Sequence, residues 1–245
     1  MRGSRVVDWV RIMEIGVYYT AMFRDDYISR QIQIFVQILA RLLGLTKGRE
    51  FMDALALLQM TFREQLGTDL NTFLTVPDDR MVDFLTFGQT EVVALTRSGL
   101  AVALLQAAAH LYQAQSKEDQ GLPYLQKALN LLLEIELAGE EPLELPEFVP
   151  TVDDLIEDVD LHRLTLDSRG TLVFYFEREG EYATAEKVLN MMLADRPDDQ
   201  EIHDLAVSFY EYLLDESDEQ LAEGGLPREQ VITALEQLRT SRTDS

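Results

Sequence analysis

Cysteine is absent from the 245 residues, and there are only seven prolines, one tryptophan and 21 lysines and arginines. Without cysteine there are no disulfides, no thiolate nucleophile and no cysteine-ligated zinc or iron–sulfur site. The shortage of basic residues against 44 acidic ones gives a formal charge of −23, which works against nucleic acid, since a phosphate backbone needs a basic face that releases counterions. No uninterrupted apolar run reaches the roughly 18 residues that span a bilayer. The N-terminus is basic at Arg2 and Arg5, but Asp8, Arg11 and Glu14 break what a signal peptide would need as an uncharged stretch. A cytoplasmic protein without a membrane role is expected.

What is present is enough for a core. Hydrophobic residues make up 47% of the chain, which supports one long domain or two small ones. The acidity is uneven, with seven basic side chains against nineteen acidic ones in residues 166–245, whereas residues 1–50 have eight basic and five acidic. Such a field steers a basic partner towards the C-terminal part; otherwise it solvates the surface.

Apolar spacing is helical from residue 25 onward, and neither Asn-Gly nor Asp-Gly hairpin turns occur. Asp25 or Asp26 is placed to cap a helix whose inner face is Ile28, Ile32, Phe35, Val36, Leu39 and Leu43, with Gly44 as its left-handed stop. Helices are expected over about 48–66, with Gly67 as the stop, then from Pro77 to near Phe87, and over 90–115 and 119–138. Three prolines and four glutamates in residues 139–150 interrupt the pattern. Thr151 and Asp154 then read as a capping box for a helix through about Leu164. Thr171–Phe176 has strand-like composition but is read as helix. Helices over 181–195 and 199–215, an acidic turn ending in Gly224-Gly225 and a last helix opened by Pro227 follow. The expected architecture is all-α, with nine or ten helices in irregularly stacked antiparallel hairpins and no β-sheet. Its parts are an extension at 1–21 that stays out of the core, with Met22 as a natural start, a helical region at 22–138, a connector at 139–150, a helical region at 151–240 and a fraying tail at 241–245.

Few residues offer chemistry. His110, His162 and His203 have no second histidine three or four positions away, so no two-histidine metal face exists. Asp153, Asp154, Glu157, Asp158 and Asp160 are dense enough to hold a hard divalent cation, although first-turn acids also serve the helix dipole. Arg30 and Gln31 are suited to a carboxylate or phosphate, or to solvent. No phosphate-binding glycine loop, nucleophile elbow or zinc-protease motif is present. No enzyme activity, cofactor or metal is therefore expected.

Residues 166–199 resemble a tetratricopeptide repeat, with Leu172, Phe176, Gly180, Tyr182, Ala185, Leu189 and Pro197 at the family's packing and turn positions. Arg169, Val173 and Met192 depart from the pattern. Residues 102–135 are a weaker copy through Ala109, Tyr112, Gly121, Leu125 and Ala128, and residues from 200 onward a stretched third one containing Tyr210. The resemblance implies a right-handed α–α arrangement in the C-terminal half. It also implies a groove lined by the first helix of each pair: Gln106, His110 and Gln113; Phe174, Glu177 and Arg178; Asp204, Ser208, Glu211 and Tyr212. The segments DDYISRQI at 25–32, LLGL at 42–45 and QLGTDLNTFL at 65–74 are similar to an uncharacterised family of helical proteins from Gram-positive bacteria, over about residues 22–135. That likeness transfers no catalytic residue.

The functional expectation is a protein-interaction module that takes a basic or mixed peptide segment in a helical groove. A metal-dependent helical enzyme using the carboxylates at 153–160, and a purely structural protein that associates with itself, stay open beside it.

Overall fold

The computed structural model describes residues 21–139 and 144–241. The expectation that residues 1–21 lie apart from the core, and that the tail frays, falls almost wholly outside them. Among the described residues there are twelve α-helices and no strand. The chain divides into two compact units after Leu155.

In the N-terminal unit, α1 spans Ala21–Lys47. It runs through Asp25 and Asp26, which are therefore not its caps, and it also passes Gly44. The stop comes at Gly48 and at Arg49, whose φ is +60°. Phe35 and Leu42 form its buried seam, while Val36 and Leu43, expected inside, are about half exposed. α2, Phe51–Thr61, opens into a π turn over Phe62–Leu66 that ends at Gly67, with φ +73°. Asp69 caps the short α3, Leu70–Leu74, by accepting from the Thr72 amide at 3.0 Å. A 3₁₀ turn at Asp78–Arg80 leads into α4, Met81–Thr86.

α5, Glu91–Gln113, is the centre of this unit, and α1, α2, α4 and α6 (Glu118–Glu136) all pack on it. By length and composition it is apolar enough to cross a membrane, contrary to the reading by uninterrupted runs. Here that apolar surface is largely spent on neighbouring helices, with Leu100, Ala101, Val102, Leu104 and Leu105 fully buried. Small residues set the spacing: a Cβ at Gly121 of α6 would lie 3.1 Å from the Ala109 carbonyl oxygen. Tyr112 and Tyr124 stack at 5.4 Å beside that approach. Arg97 of α5 donates to the Leu66 carbonyl at 2.9 Å and to the Leu85 carbonyl at 3.2 Å, satisfying the ends of the π turn and α4. After the prolines, Val149 is laid over Gly99, where a Cβ would come within 2.5 Å of it. The Thr151–Asp154 capping box forms, each backbone amide meeting the other's side chain. The helix it opens, α7 (Val152–Glu157), is shorter than expected, and a separate 3₁₀ turn covers Leu161–Arg163.

The C-terminal unit is built from α8 (Leu166–Arg178), α9 (Tyr182–Asp195), α10 (Gln200–Asp215), α11 (Asp218–Glu223) and α12 (Arg228–Ser241). The strand-like segment Thr171–Phe176 is helical within α8. α8 packs on α9, α9 on α10, and α10 on α12. Gly180, at φ +74°, turns the chain between α8 and α9. Ala185 and Leu172 are fully buried in the hairpin it makes. The acidic stretch read as a turn instead forms α11, because Ser217 and Gln220 complete a capping box. Arg169, which is 5% exposed, takes the place of an aromatic in α8. It is accommodated by Asp195 at the end of α9, which accepts from its Nη1 at 2.5 Å.

The turns of the two hairpins meet at Gly224, whose carbonyl accepts from the Ala183 amide at 2.9 Å. A Cβ on Gly224 would collide with the Tyr182 ring and the Gly180 carbonyl oxygen. Gly224→Ala is expected to lower stability by about 3 kcal/mol through overpacking. Gly170→Ala, on α8 with nothing within 4 Å of the new methyl, should instead raise it by about 0.5 kcal/mol. Urea unfolding of the two variants checks both signs.

Candidate functional site

The C-terminal unit contains a groove of about 390 Å³ between α8, the end of α9 and the start of α10. Leu166, Asp167, Gly170, Thr171 and Phe174 form the α8 wall. Met192 and Arg196 close one side, and Asp199, Glu201, Ile202 and Leu205 form the α10 wall. Its chemistry is mixed: apolar side chains inside, and three carboxylates with one guanidinium around them. Arg196 already has a partner, with its Nη1 3.6 Å from Asp199. Phe174 is 52% exposed, an unusual position for a phenylalanine with a packed core beside it.

Helical spacing extends the two walls. Glu177 and Arg178 lie one turn beyond Phe174 on α8, and Ser208 and Tyr212 continue the Leu205 stripe on α10. Tyr212 is 43% exposed. Its hydroxyl is hydrogen-bonded with Glu216, and that bond, together with burial and the same carboxylate's charge, pushes its pKa up to about 12. Partial burial raises the pKa of Glu177, and the neighbouring charge of Glu216 adds to the effect. Tyr182 is raised by burial and by the charges of Glu216 and Glu177. Two carboxylates and two phenols thus share one negative corner, in which Tyr182 is buried and Tyr212 part-exposed.

The structure places the sequence-derived residues in three different settings. Phe174 lines the groove itself, and Glu177 and Tyr212 meet in the acidic corner. Asp204 accepts from Gln200 at 2.8 Å, and Glu211 accepts from Arg239 of α12 at 2.6 Å, so both are tied to their own surroundings. Gln106, His110 and Gln113 are half-buried on α5 in the other unit, each engaged in interactions there. Glu216 and Tyr182 were missed by the sequence reading, because neither belongs to the first helix of a pair. Glu216 sits just past the end of α10 and Tyr182 opens α9, so only the fold brings them to Tyr212.

The other candidates fall elsewhere. Asp154 is occupied as the partner of Thr151, and Asp160 accepts from the His162 amide at 3.1 Å. α7 ends at Glu157, so Asp153, Glu157 and Asp160 do not share one helical face. Among the described residues no group of three or more histidines and carboxylates is arranged to hold a metal. His162 Nδ1 lies 3.3 Å from Asp195, and His203 Nε2 lies 3.1 Å from the Leu238 carbonyl oxygen. Gln31 lines a smaller hollow of about 240 Å³ in the N-terminal unit, with Phe35, Gln65, Gln89 and Arg97, while Arg30 is exposed.

Residues 22–243 match a family of unknown function (DUF6483). No curated protein and no solved structure matches the chain.

The acidic corner makes a direct prediction. Glu216→Gln removes the charge that opposes ionisation of Tyr212, so the Tyr212 phenol should titrate closer to its ordinary value near 10. A ¹³C NMR titration of labelled tyrosines, with Tyr212→Phe for assignment, reads the shift directly.

Proposed function

We propose that this chain, which belongs to the DUF6483 family, is a protein-interaction module that takes a basic peptide segment along the α8–α10 face. The observation that carries the reading is the exposed Phe174 in the groove wall, one helical turn before Glu177 of the Glu177–Glu216–Tyr212 corner. An apolar side chain of the partner has Phe174 and Leu205 to cover, and a lysine or arginine has the corner. Exposed aromatics beside carboxylates suit that pairing, because the guanidinium or ammonium keeps a counter-charge while its stem lies on the ring.

A tetratricopeptide-like arrangement of the C-terminal unit supports this use of α8 and α10. Leu172, Phe176, Ala185 and Leu189 are buried where such a repeat packs its hairpin, and Gly180 occupies the turn. In repeats of this kind the first helices face the ligand. The surplus of nineteen acidic over seven basic residues in 166–245 favours fast capture of a basic segment. A cytoplasmic setting fits an acidic, cysteine-free chain. We assign no enzymatic role: a fold alone gives no activity, and Asp154 and Asp160 of the 153–160 cluster are taken up as caps.

The test is a peptide array probed with the full chain, comparing lysine- or arginine-containing peptides that carry one large apolar residue with acidic peptides of the same composition otherwise. Basic peptides should bind, and more weakly as salt shortens the Debye length from about 10 Å at 0.1 M to about 3 Å at 1 M. Phe174→Ala with Glu177→Gln should raise Kd roughly tenfold, or about 1.4 kcal/mol. Glu211→Gln, whose carboxylate is engaged by Arg239, should leave it nearly unchanged. Equal binding of acidic peptides, or indifference to the Phe174 and Glu177 changes, overturns the assignment.

A further inference from the structure

In the N-terminal unit, one face of α6 fastens the turn that precedes α4. Lys127, only 9% exposed, donates its Nζ to the Val76 carbonyl and to Asp78 Oδ1, the latter at 2.5 Å. Asn130 donates Nδ2 to Asp78 Oδ2 at 2.5 Å. The Glu134 carboxyl lies near the backbone amide of Val82, in the first turn of α4, which favours its ionised form. These three residues are spaced at i, i+3 and i+7 and so share a helix face. The arrangement leaves two acceptors unanswered: Asn130 Oδ1 and Glu134 Oε2 are both buried without a hydrogen-bond partner.

Residues four apart on a helix are neighbours on adjacent turns. Two bare acceptor oxygens in that relation, both away from water, are costly while neither carries a hydrogen. A single proton changes this, since a neutral carboxylic acid is a donor as well as an acceptor. The surrounding charges press the same way. The 3₁₀ turn presents Asp78, Asp79 and Arg80, and α4 presents Asp83. Arg80 points to Asp79, 3.9 Å away on the surface, and Lys127 is taken by Asp78. α3 carries no charged residue, and α5 has none between Arg97 and His110. Glu134 therefore faces three aspartates with no cation of its own. Burial, joined by the charges of Asp83, Asp79 and Asp78, pushes its pKa up to about 7, against the opposing Val82 amide.

We infer that a proton carried on Glu134 latches α6 to the Val76–Val82 turn, and that its release with rising pH loosens this turn and the start of α4. The sign follows from linkage. The folded protein holds the proton more tightly than the unfolded chain, whose glutamate titrates near 4.5. The stabilisation is therefore complete below that value, declines as pH rises, and is gone once pH has passed about 7. What loosens is the entry to a helix whose far end exposes Phe84 and, beyond it, Phe87, so protonation controls how firmly those two rings are held.

Hydrogen–deuterium exchange on the full chain at pH 5.5, 7.0 and 8.5 tests this, with intrinsic exchange rates divided out so that only opening is compared. Amides of residues 78–86 should lose about tenfold protection between pH 5.5 and 8.5, while those of α9 and α10 should not change in parallel. Glu134→Gln keeps an oxygen for the Val82 amide and supplies a permanent N–H donor, so its protection should be flat across the range. A flat wild-type profile, or a Glu134→Gln profile with the wild-type slope, overturns the latch. A carboxyl ¹³C titration of Glu134 in the unaltered protein decides the matter independently of the variant: a midpoint near 7 supports the latch, and one near 4.5 removes it.

Discussion

The fold depends on close approach to backbone positions that carry no side chain. At Gly121 a helix of the N-terminal unit comes so close to the Ala109 carbonyl that a methyl would sit at 3.1 Å. At Gly99 the chain after the prolines drops Val149 into the space a Cβ would need, and at Gly224 one interhelical turn rests on another. Close approach brings the flanking large residues into full contact, and dispersion falls off steeply with separation, so a gap of even half an ångström would forfeit much of it. Buried alanines at 101, 103, 108, 109 and 128 keep α5 and α6 slim for their neighbours in the same way. The leucines fill the core, but the small residues decide which helices meet and at what distance.

Much of this was legible in the sequence because helical periodicity and end signals are local. Gly67, Thr151 with Asp154, Gly180 and Pro227 all act within a few residues of where they stand, and the structure uses each near its expected place. The misreadings have separate causes. Gly44 was read as a stop, yet glycine only permits a left-handed residue and does not require one; α1 runs on to Lys47. Val36 and Leu43 fit the helical period of α1, but its neighbours cover a narrower stripe than periodicity alone would fill. The acidic stretch before Gly224 was read as a turn on composition, and a capping box at Ser217 made it a helix.

The site was less legible than the fold. Phe174 and Tyr212 were reached through the tetratricopeptide resemblance, which assigns a groove to the first helix of each pair. Glu216 and Tyr182 have no such rule, because each lies at the edge of an element and reaches the corner only through the way α8, α9 and α10 pack. Glu134 was hidden for the opposite reason. On a helix read as mostly core, a single glutamate gives no periodic signal, and its importance comes from Asp78, Asp79 and Asp83, about fifty residues away in sequence.

Composition also understates how acidic the accessible surface is. Several of the 21 basic residues are spent as internal fasteners. Arg97 answers two carbonyls, Lys127 answers a carbonyl and Asp78, and Arg169 is buried against Asp195. Arg228 gathers the carbonyls of Leu214 and Glu216 together with Asp218. Fasteners of this kind ask for several directed donors on one side chain, which is what guanidinium and ammonium groups supply and neutral side chains do not. Each cation so used is fixed within its unit and offers little to an arriving partner. Carboxylates serve in such links as helix caps and as partners of these cations, and many others stand exposed. Scarcity of basic residues and their internal employment therefore act together, and the exposed charge is more acidic than composition alone indicates.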